Sequence, residues 1–281
     1  MKKTIYLSLG ALLASTALSG ATLVAHYKFD EVSGQVAADS AGTAQNLTTS
    51  NSGVGWTGGI ICGAVDLTQD VMYAQDAIGN GNNFTISIWV NEAVGQTGYR
   101  GIFTTGAAAI DTPGMDDGIT GLGEDNWGID TEDNTNRRGD LRINNNAIGS
   151  SDGLDTPVIS QGAWVHMALT YEGNGATAVA KAYVNGSLAV TRTSAQNVNL
   201  ELSYSAGDQY WQLGTDRNND ARRFTGLVDD LAIWSEALSD AEVQNIYDGG
   251  LLGIDAPTSV PEPAVSLLGA FGLLGLLRRR R

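Results

Sequence analysis

Apolar and polar residues alternate singly through much of the chain from Leu23 to Trp234, and turn residues separate the alternating runs. A period of two sends successive side chains to opposite faces of an extended backbone, so the rhythm predicts half-buried β-strands. In FTISIWVN (84–91), Phe84, Ile86, Ile88 and Val90 share one face, and Thr85, Ser87, Trp89 and Asn91 share the other. In WVHMALTY (164–171), Val165, Met167, Leu169 and Tyr171 form the apolar face. AVAKAYVNGSLAVTRT (178–193) holds two β-prone runs joined at Asn185-Gly186, the pair that best tolerates the positive φ angles of a type I′ turn. It predicts two adjacent antiparallel strands. In GLVDDLAIW (226–234), strict alternation sets Asp229 with Leu227, Leu231 and Ile233, and Asp230 with Val228, Ala232 and Trp234.

One segment follows a helical period instead. Ser239-Asp240-Ala241-Glu242 reads as a capping box, Val243, Ile246 and Tyr247 form an apolar stripe, and Gly249-Gly250 marks an end. Many short strands followed by one late helix predict an all-β antiparallel sandwich or jelly roll, and argue against a parallel α/β fold. There is no internal repeat.

Both ends break the rhythm. Met1 to Ala21 opens with Lys2 and Lys3, runs apolar from Ile5 to Leu18, and closes on small Ser19-Gly20-Ala21, the layout of a Sec-type export signal read by signal peptidase. At the other end Val260-Pro261-Glu262-Pro263 precedes fourteen residues, Ala264 to Leu277, that are mostly apolar, and then Arg278, Arg279, Arg280 and Arg281. As a helix that run reaches only about 21 Å of a roughly 30 Å hydrocarbon core. The expected organisation is a signal peptide over 1–21, a β domain over 22–254, a linker over 255–259 and a C-terminal signal over 260–281.

Charge sharpens this picture. The ends hold six of the sixteen basic residues, so the body carries ten against thirty acidic ones. Such a body repels nucleic acid and anionic lipid. Cys62 is the only cysteine, which excludes an internal disulfide in an exported chain. Its apolar setting, IICGAV, predicts a small buried thiol. His26 and His166 lie in apolar strands and read as packed, hydrogen-bonded residues; no HExxH or phosphate-cradling loop occurs.

The order of the segments resembles the laminin-G-like domains of the concanavalin A-like superfamily. LVAHYKFDEVSGQVAADSAG (23–42) is similar to their first strand and loop, GAVDLT (63–68), FTISIWVN and GAWVHMALTYEGN (162–174) to successive strands, KAYVNGSLAV (181–190) to their hairpin, and the stretch 213–250 to their closing strand and helix. The tail resembles the PEP-CTERM sorting signal, with Ala264 where that family often has a small hydroxyl residue. That resemblance implies Gram-negative export, recognition by an exosortase, cleavage near Pro-Glu-Pro and delivery to the cell surface or matrix. A short apolar helix with cytoplasmic arginines fits the positive-inside rule and a transient stay in the inner membrane; a permanent anchor is the alternative.

The superfamily includes glycoside hydrolases, whose retaining members use two carboxyl groups about 5 Å apart. The E-x-D-x-x-E pattern that supplies them is absent, and the nearest acidic cluster, with Glu124, Asp130 and Glu132, reads as loops around a short strand. No enzymatic activity is expected. Similar sandwiches place a structural calcium between closing strand and early loops, which implicates Asp230 and Asp39 with carbonyls of the 39–42 loop; aspartates satisfied by hydrogen-bond donors are the other reading. Trp89, Trp164 and Trp234 match core strands. Trp56, Trp127 and Trp211 are flanked by small or polar residues, and Trp127 and Trp211 are the candidates for stacking on a sugar. The resemblance implies a binding module for polysaccharide or protein; a structural matrix component and a divergent glycan-cleaving enzyme are the alternatives.

Overall fold

The computed structural model describes residues 21–42, 45–49, 53–75, 83–106, 125–132, 137–143, 154–173, 178–193, 210–215 and 222–260. Residues 1–20 of the export signal and the residues of the sorting signal after Val260 lie outside that set, as does Glu124. One sheet runs in spatial order β14 (Ser187–Thr193), β13 (Val179–Val184), β12 (Val165–Glu172), β7 (Asn83–Glu92), β16 (Gly226–Trp234), β5 (Gly63–Asp66) and β4 (Gly55–Gly58), with β1 (Leu23–Tyr27) also paired to β16. The second sheet runs β11 (Leu154–Val158), β10 (Arg138–Ile143), β9 (Asp125–Glu132), β8 (Arg100–Gly106), β15 (Tyr210–Leu213), β6 (Met72–Gln75), β3 (Leu47–Thr49) and β2 (Val36–Ala37). Pairings within both are antiparallel. The predicted β-sandwich is the observed architecture.

The alternation explains why the layers pack. Phe84, Ile86, Ile88, Val90, Met167 and Leu169 meet Phe103, Ile129, Met72, Trp211 and Leu213 of the other sheet in one apolar core. Removing that surface from water is the main driving force for stacking the sheets. The opposite face of the first sheet is not wasted on solvent: Ala168, Tyr183, Ala232 and Trp234 pack beneath α1 (Asp240–Gly250), against Val243 and Ile246. Trp89 stacks on Tyr247 of α1 at 5.5 Å, and His166 lies 5.2 Å from the Trp89 ring with Nε2 2.8 Å from Ser87 Oγ. Burial pushes the His166 pKa down to about 3. It is a neutral core residue.

The helix keeps its expected cap, with Ser239 Oγ accepting from the Glu242 N–H at 3.3 Å and Glu242 Oε2 accepting from the Ser239 N–H at 2.7 Å. It ends at Gly250, where the two glycines mark the expected end. They stay helical, and a Cβ at Gly250 would stand 2.7 Å from the Trp89 ring, so glycine is there to let the helix approach the sheet. At the hairpin, Asn185 and Gly186 take φ of 49° and 74°, as the type I′ turn requires.

Residues 255–259 are not the expected linker. They form α2 (Ala256–Ser259) with its cap, and Ala256 and Val260 are buried in the cluster under α1, where Ala21 and Leu23 also pack. The folded body therefore extends to Val260, and its two ends meet. Among the described residues no helix is long and apolar enough to cross a membrane.

A buried ion pair ties the two sheets at one end of β7. Arg137 grips both oxygens of Glu92 at 2.6 and 3.1 Å, and Thr131 of β9 donates to Glu92 at 2.9 Å. No local pattern announces this contact, because its partners are 45 residues apart.

Candidate functional site

The strand β16 does not alternate strictly. Its register against β7 shifts between Asp229 and Ala232, and Asp230 takes φ 47°, the left-handed region that Asp enters more readily than most residues. This bulge puts Val228 in the same inter-sheet core as Leu231 and Ile233, which corrects the faces assigned from the sequence. It also marks where β16 changes partner, from β5 (Val228 opposite Val65) to β1 (Leu231 opposite Tyr27). The two aspartates leave the bulge toward different segments.

Asp229 holds the turn between β4 and β5. Its Oδ2 accepts the Ile61 N–H at 2.7 Å, while Asp30 Oδ1 accepts the Gly63 N–H at 2.8 Å. Drawn in on both sides, the turn buries Ile61 and turns Cys62 outward at φ 63°. The expected buried thiol is thus an exposed one; the apolar neighbours signalled burial for the turn, and the carboxylate clamps decide which residue faces out. Asp229 Oδ1 is buried and has no hydrogen-bond partner among the described residues. Burial, opposed by the Ile61 N–H and assisted by the Asp230 charge, raises the Asp229 pKa to about 8. Its burial thus favours the neutral carboxylic acid.

Asp230 faces the other way. Its Oδ1 lies 2.7 Å from His26 Nε2, and its Oδ2 accepts the Ala256 N–H at 2.9 Å, fastening α2 to the sheet. On the far side of the ring, Ser40 Oγ lies 2.8 Å from His26 Nδ1. Serine, histidine and aspartate in this order resemble a nucleophilic triad. Two details oppose that role. The Ser40 hydroxyl proton has a second acceptor, the His26 carbonyl at 2.9 Å, and the adjacent Ala41 N–H, a natural oxyanion donor, is taken by Asp39 Oδ1 at 2.9 Å. The relay reads as a fastening among β1, the 39–42 loop, β16 and α2.

The same geometry tests the calcium expectation. Asp39 Oδ1 accepts the N–H groups of His26 and Ala41, and both oxygens of Asp230 face N–H donors. A calcium cage is built of oxygen ligands. The donors around Asp230 do not fit one, and among the described residues no three His, Cys, Asp or Glu side chains gather as a metal site.

Beside this hub the surface opens into two adjoining depressions that share Asp30 and Cys62. The larger, about 460 Å³, is lined by Asp30, Glu31, Val32, Trp56, Thr57, Cys62 and Gly63. Trp56 is half-buried: it packs on the core from the edge strand β4, and its Nε1 donates to the Gly34 carbonyl at 3.0 Å, which fixes the ring. Glu31 Oε1 accepts the Ala38 N–H at 2.8 Å, whereas Oε2 is desolvated and has no partner among the described residues. The smaller depression, about 290 Å³, includes Lys28, Asp230 and Asp255. Lys28 and Asp255 form an ion pair at 2.7 Å that raises the lysine pKa, chiefly through the hydrogen bond itself.

The aromatic candidates fare differently from expectation. Trp211 is fully buried, edge-on to Tyr27 at 6.4 Å and tilted on Phe103 at 6.0 Å, because β15 is an interior strand between β8 and β6. It belongs to the core and is not a ligand platform. Trp127 stands in β9 opposite Thr105 and Ile143, and its side chain lies outside the described part of the structure. Asp130 is fully buried in the same strand. Trp56, grouped with Trp127 and Trp211 in the sequence but not named as a candidate, lines an open depression. The only local hint was its glycine-rich flank.

Residues 66–244 match the family model described as Concanavalin A-like lectin/glucanases superfamily, of laminin-G type. The chain belongs to this family. No curated protein sequence matches this laminin-G-like chain. Among solved structures it is similar to domain 4 of AbnA, a GH43 extracellular arabinanase from Geobacillus stearothermophilus in complex with arabinotriose, with 22% identity and a TM-score of 0.54 over 80% of this chain and 98% of that one. It is also similar to the binding domain of Paraclostridial Mosquitocidal Protein 1, at 16% identity and TM-score 0.54, covering 81% of this chain and 52% of that one. The sialidase of Trypanosoma rangeli aligns at 13% identity and TM-score 0.55, covering 83% of this chain but 34% of the sialidase. At such identities the likeness is one of fold. The family match begins after the Trp56 depression, whose lining from Asp30 to Gly63 precedes it.

Proposed function

We propose that this laminin-G-like chain is exported and binds glycan, without cleaving it, at the cell surface or in the extracellular matrix. The observation that carries this reading is Trp56, an indole half open to solvent, held in place by the Gly34 carbonyl, in a depression with carboxylate acceptors on its rim. An apolar ring face beside hydrogen-bond acceptors suits a sugar, which offers C–H surface on one side and hydroxyl donors around it. The AbnA domain, almost wholly covered by this fold, was solved with arabinotriose, and that supports glycan as the ligand class. Asp30, Asp229 and Asp230 each spend an oxygen on holding backbone or ring N–H groups, which favours a structural role for them over acid–base work. The addressing rests on sequence. The amino-terminal signal would be removed by signal peptidase, and Pro261-Glu262-Pro263 with the apolar run and Arg278 to Arg281 would present the chain to an exosortase at the inner membrane of a Gram-negative cell.

The test is a polysaccharide panel scored for both retention and reducing ends. Retention without release of reducing ends is expected; release of new ends, or retention by no polysaccharide, overturns the reading. Fractionation of cells making the chain with and without residues 261–281 tests the addressing. Surface or matrix delivery is expected only for the complete chain.

A further inference from the structure

We infer that the depression around Trp56 takes an uncharged sugar and that Glu31 sets this preference; the inference rests on the glycan reading above. The lining of the larger depression holds two acidic side chains, Asp30 and Glu31, and no basic one. Lys28, in the adjoining depression, is paired with Asp255. An incoming uronate, sialate or sulfate would therefore meet like charge without a counterion, inside a body that carries ten basic residues against thirty acidic.

A neutral sugar meets what it needs. Glu31 Oε1 is committed to the Ala38 N–H, so the side chain is already oriented, and Oε2 is desolvated and lacks a partner among the described residues. A carboxylate oxygen left unmatched and desolvated is costly, and a small turn of the Glu31 side chain that exposes it to a sugar hydroxyl would recover that cost. The exposed Thr57 hydroxyl on β4 adds a donor and acceptor on the rim. Trp56 loses little freedom on binding, because the core and the Gly34 carbonyl already fix its ring. About 460 Å³ lies within the range of small-ligand sites and suits a short stretch of chain and not an extended fibre. The arrangement favours ends or single residues of a neutral glycan.

The experiment compares the full chain with Trp56→Ala, Trp56→Phe and Glu31→Gln, each checked for folding by circular dichroism. Probes are neutral arabinan, xylan and mixed-linkage glucan against polygalacturonate and alginate, with titration calorimetry on short oligomers of each. Binding confined to neutral probes is expected, about tenfold weaker in Trp56→Ala, closer to the parent in Trp56→Phe, and weaker in Glu31→Gln, whose uncharged carbonyl accepts less strongly. Preference for the anionic probes, or neutral binding unchanged by both Trp56→Ala and Glu31→Gln, overturns the inference while leaving the glycan reading standing. Binding to no probe sinks the glycan reading itself.

Discussion

Two parts of the first sheet use polar atoms in opposite ways. Under α1, Trp89, His166 and Tyr247 form a stack in which the histidine is neutral and its ring Nε2 is hydrogen-bonded to Ser87. At the β16 bulge, Asp229, Asp30 and Asp39 each hold a backbone amide and Asp230 holds the His26 ring. The first part is stabilised by area removed from water, and the second by directional bonds that a single atom can break. The difference teaches where the proposed site lies: beside the directional hub, where turns must be held open, and not over the apolar stack.

Mutations should separate the two. Trp89→Ala empties the space between β7 and α1 and should cost about 3–5 kcal/mol in denaturant unfolding, with glycan retention intact at temperatures where the protein is folded. Asp230→Ala strands His26 and the Ala256 N–H and places alanine at positive φ; a loss of about 2–4 kcal/mol is expected, with Asp230→Asn milder because it keeps an acceptor. If Asp230→Ala matched the parent, the hub would not be a fastening.

How far the sequence foresees this depends on the kind of order. Phe84 to Val90 and Val165 to Tyr171 announce their faces by period alone, and Ser239 with Glu242 announces the helix start, because each signal is local. Val228, Asp229 and Asp230 defeat the same reading, since one extra residue in a bulge inverts every later assignment and leaves no mark in composition. The depression draws Glu31 from one segment and Trp56 and Cys62 from another, joined by the Asp30–Gly63 and Trp56–Gly34 hydrogen bonds. Trp211 misled because polar neighbours were taken for a turn, whereas β15 is flanked on both sides by other strands.

A smaller effect probes protonation. The Asp229 pKa is about 8 when folded and near 4 when unfolded, so the folded state holds the proton more tightly. Stability from this group is fully present below about pH 4 and is lost as pH rises through about 8. Asp229→Asn keeps an acceptor for Ile61 and removes the titration; it should melt on the order of 5 °C higher than the parent at pH 9 and show a flatter profile from pH 4 to 9. Identical profiles would refute a buried neutral acid here. Smallest of all, EDTA should leave the melting temperature within about 1 °C, since N–H groups and not a metal fill the oxygens of Asp230; a larger drop would restore calcium to the account.

The meeting of Ala21 and Leu23 with Val260 has a mechanical consequence. A pull applied through the tail enters at α2 and passes at once to β16, through the Ala256–Asp230 bond and the Lys28–Asp255 pair, beside the point where β1 arrives. Tension between the two termini therefore loads a short corner of the molecule, while the inter-sheet core stays off the load path. Tethered by its end, the sandwich would yield first at this corner and keep its stacked sheets whole.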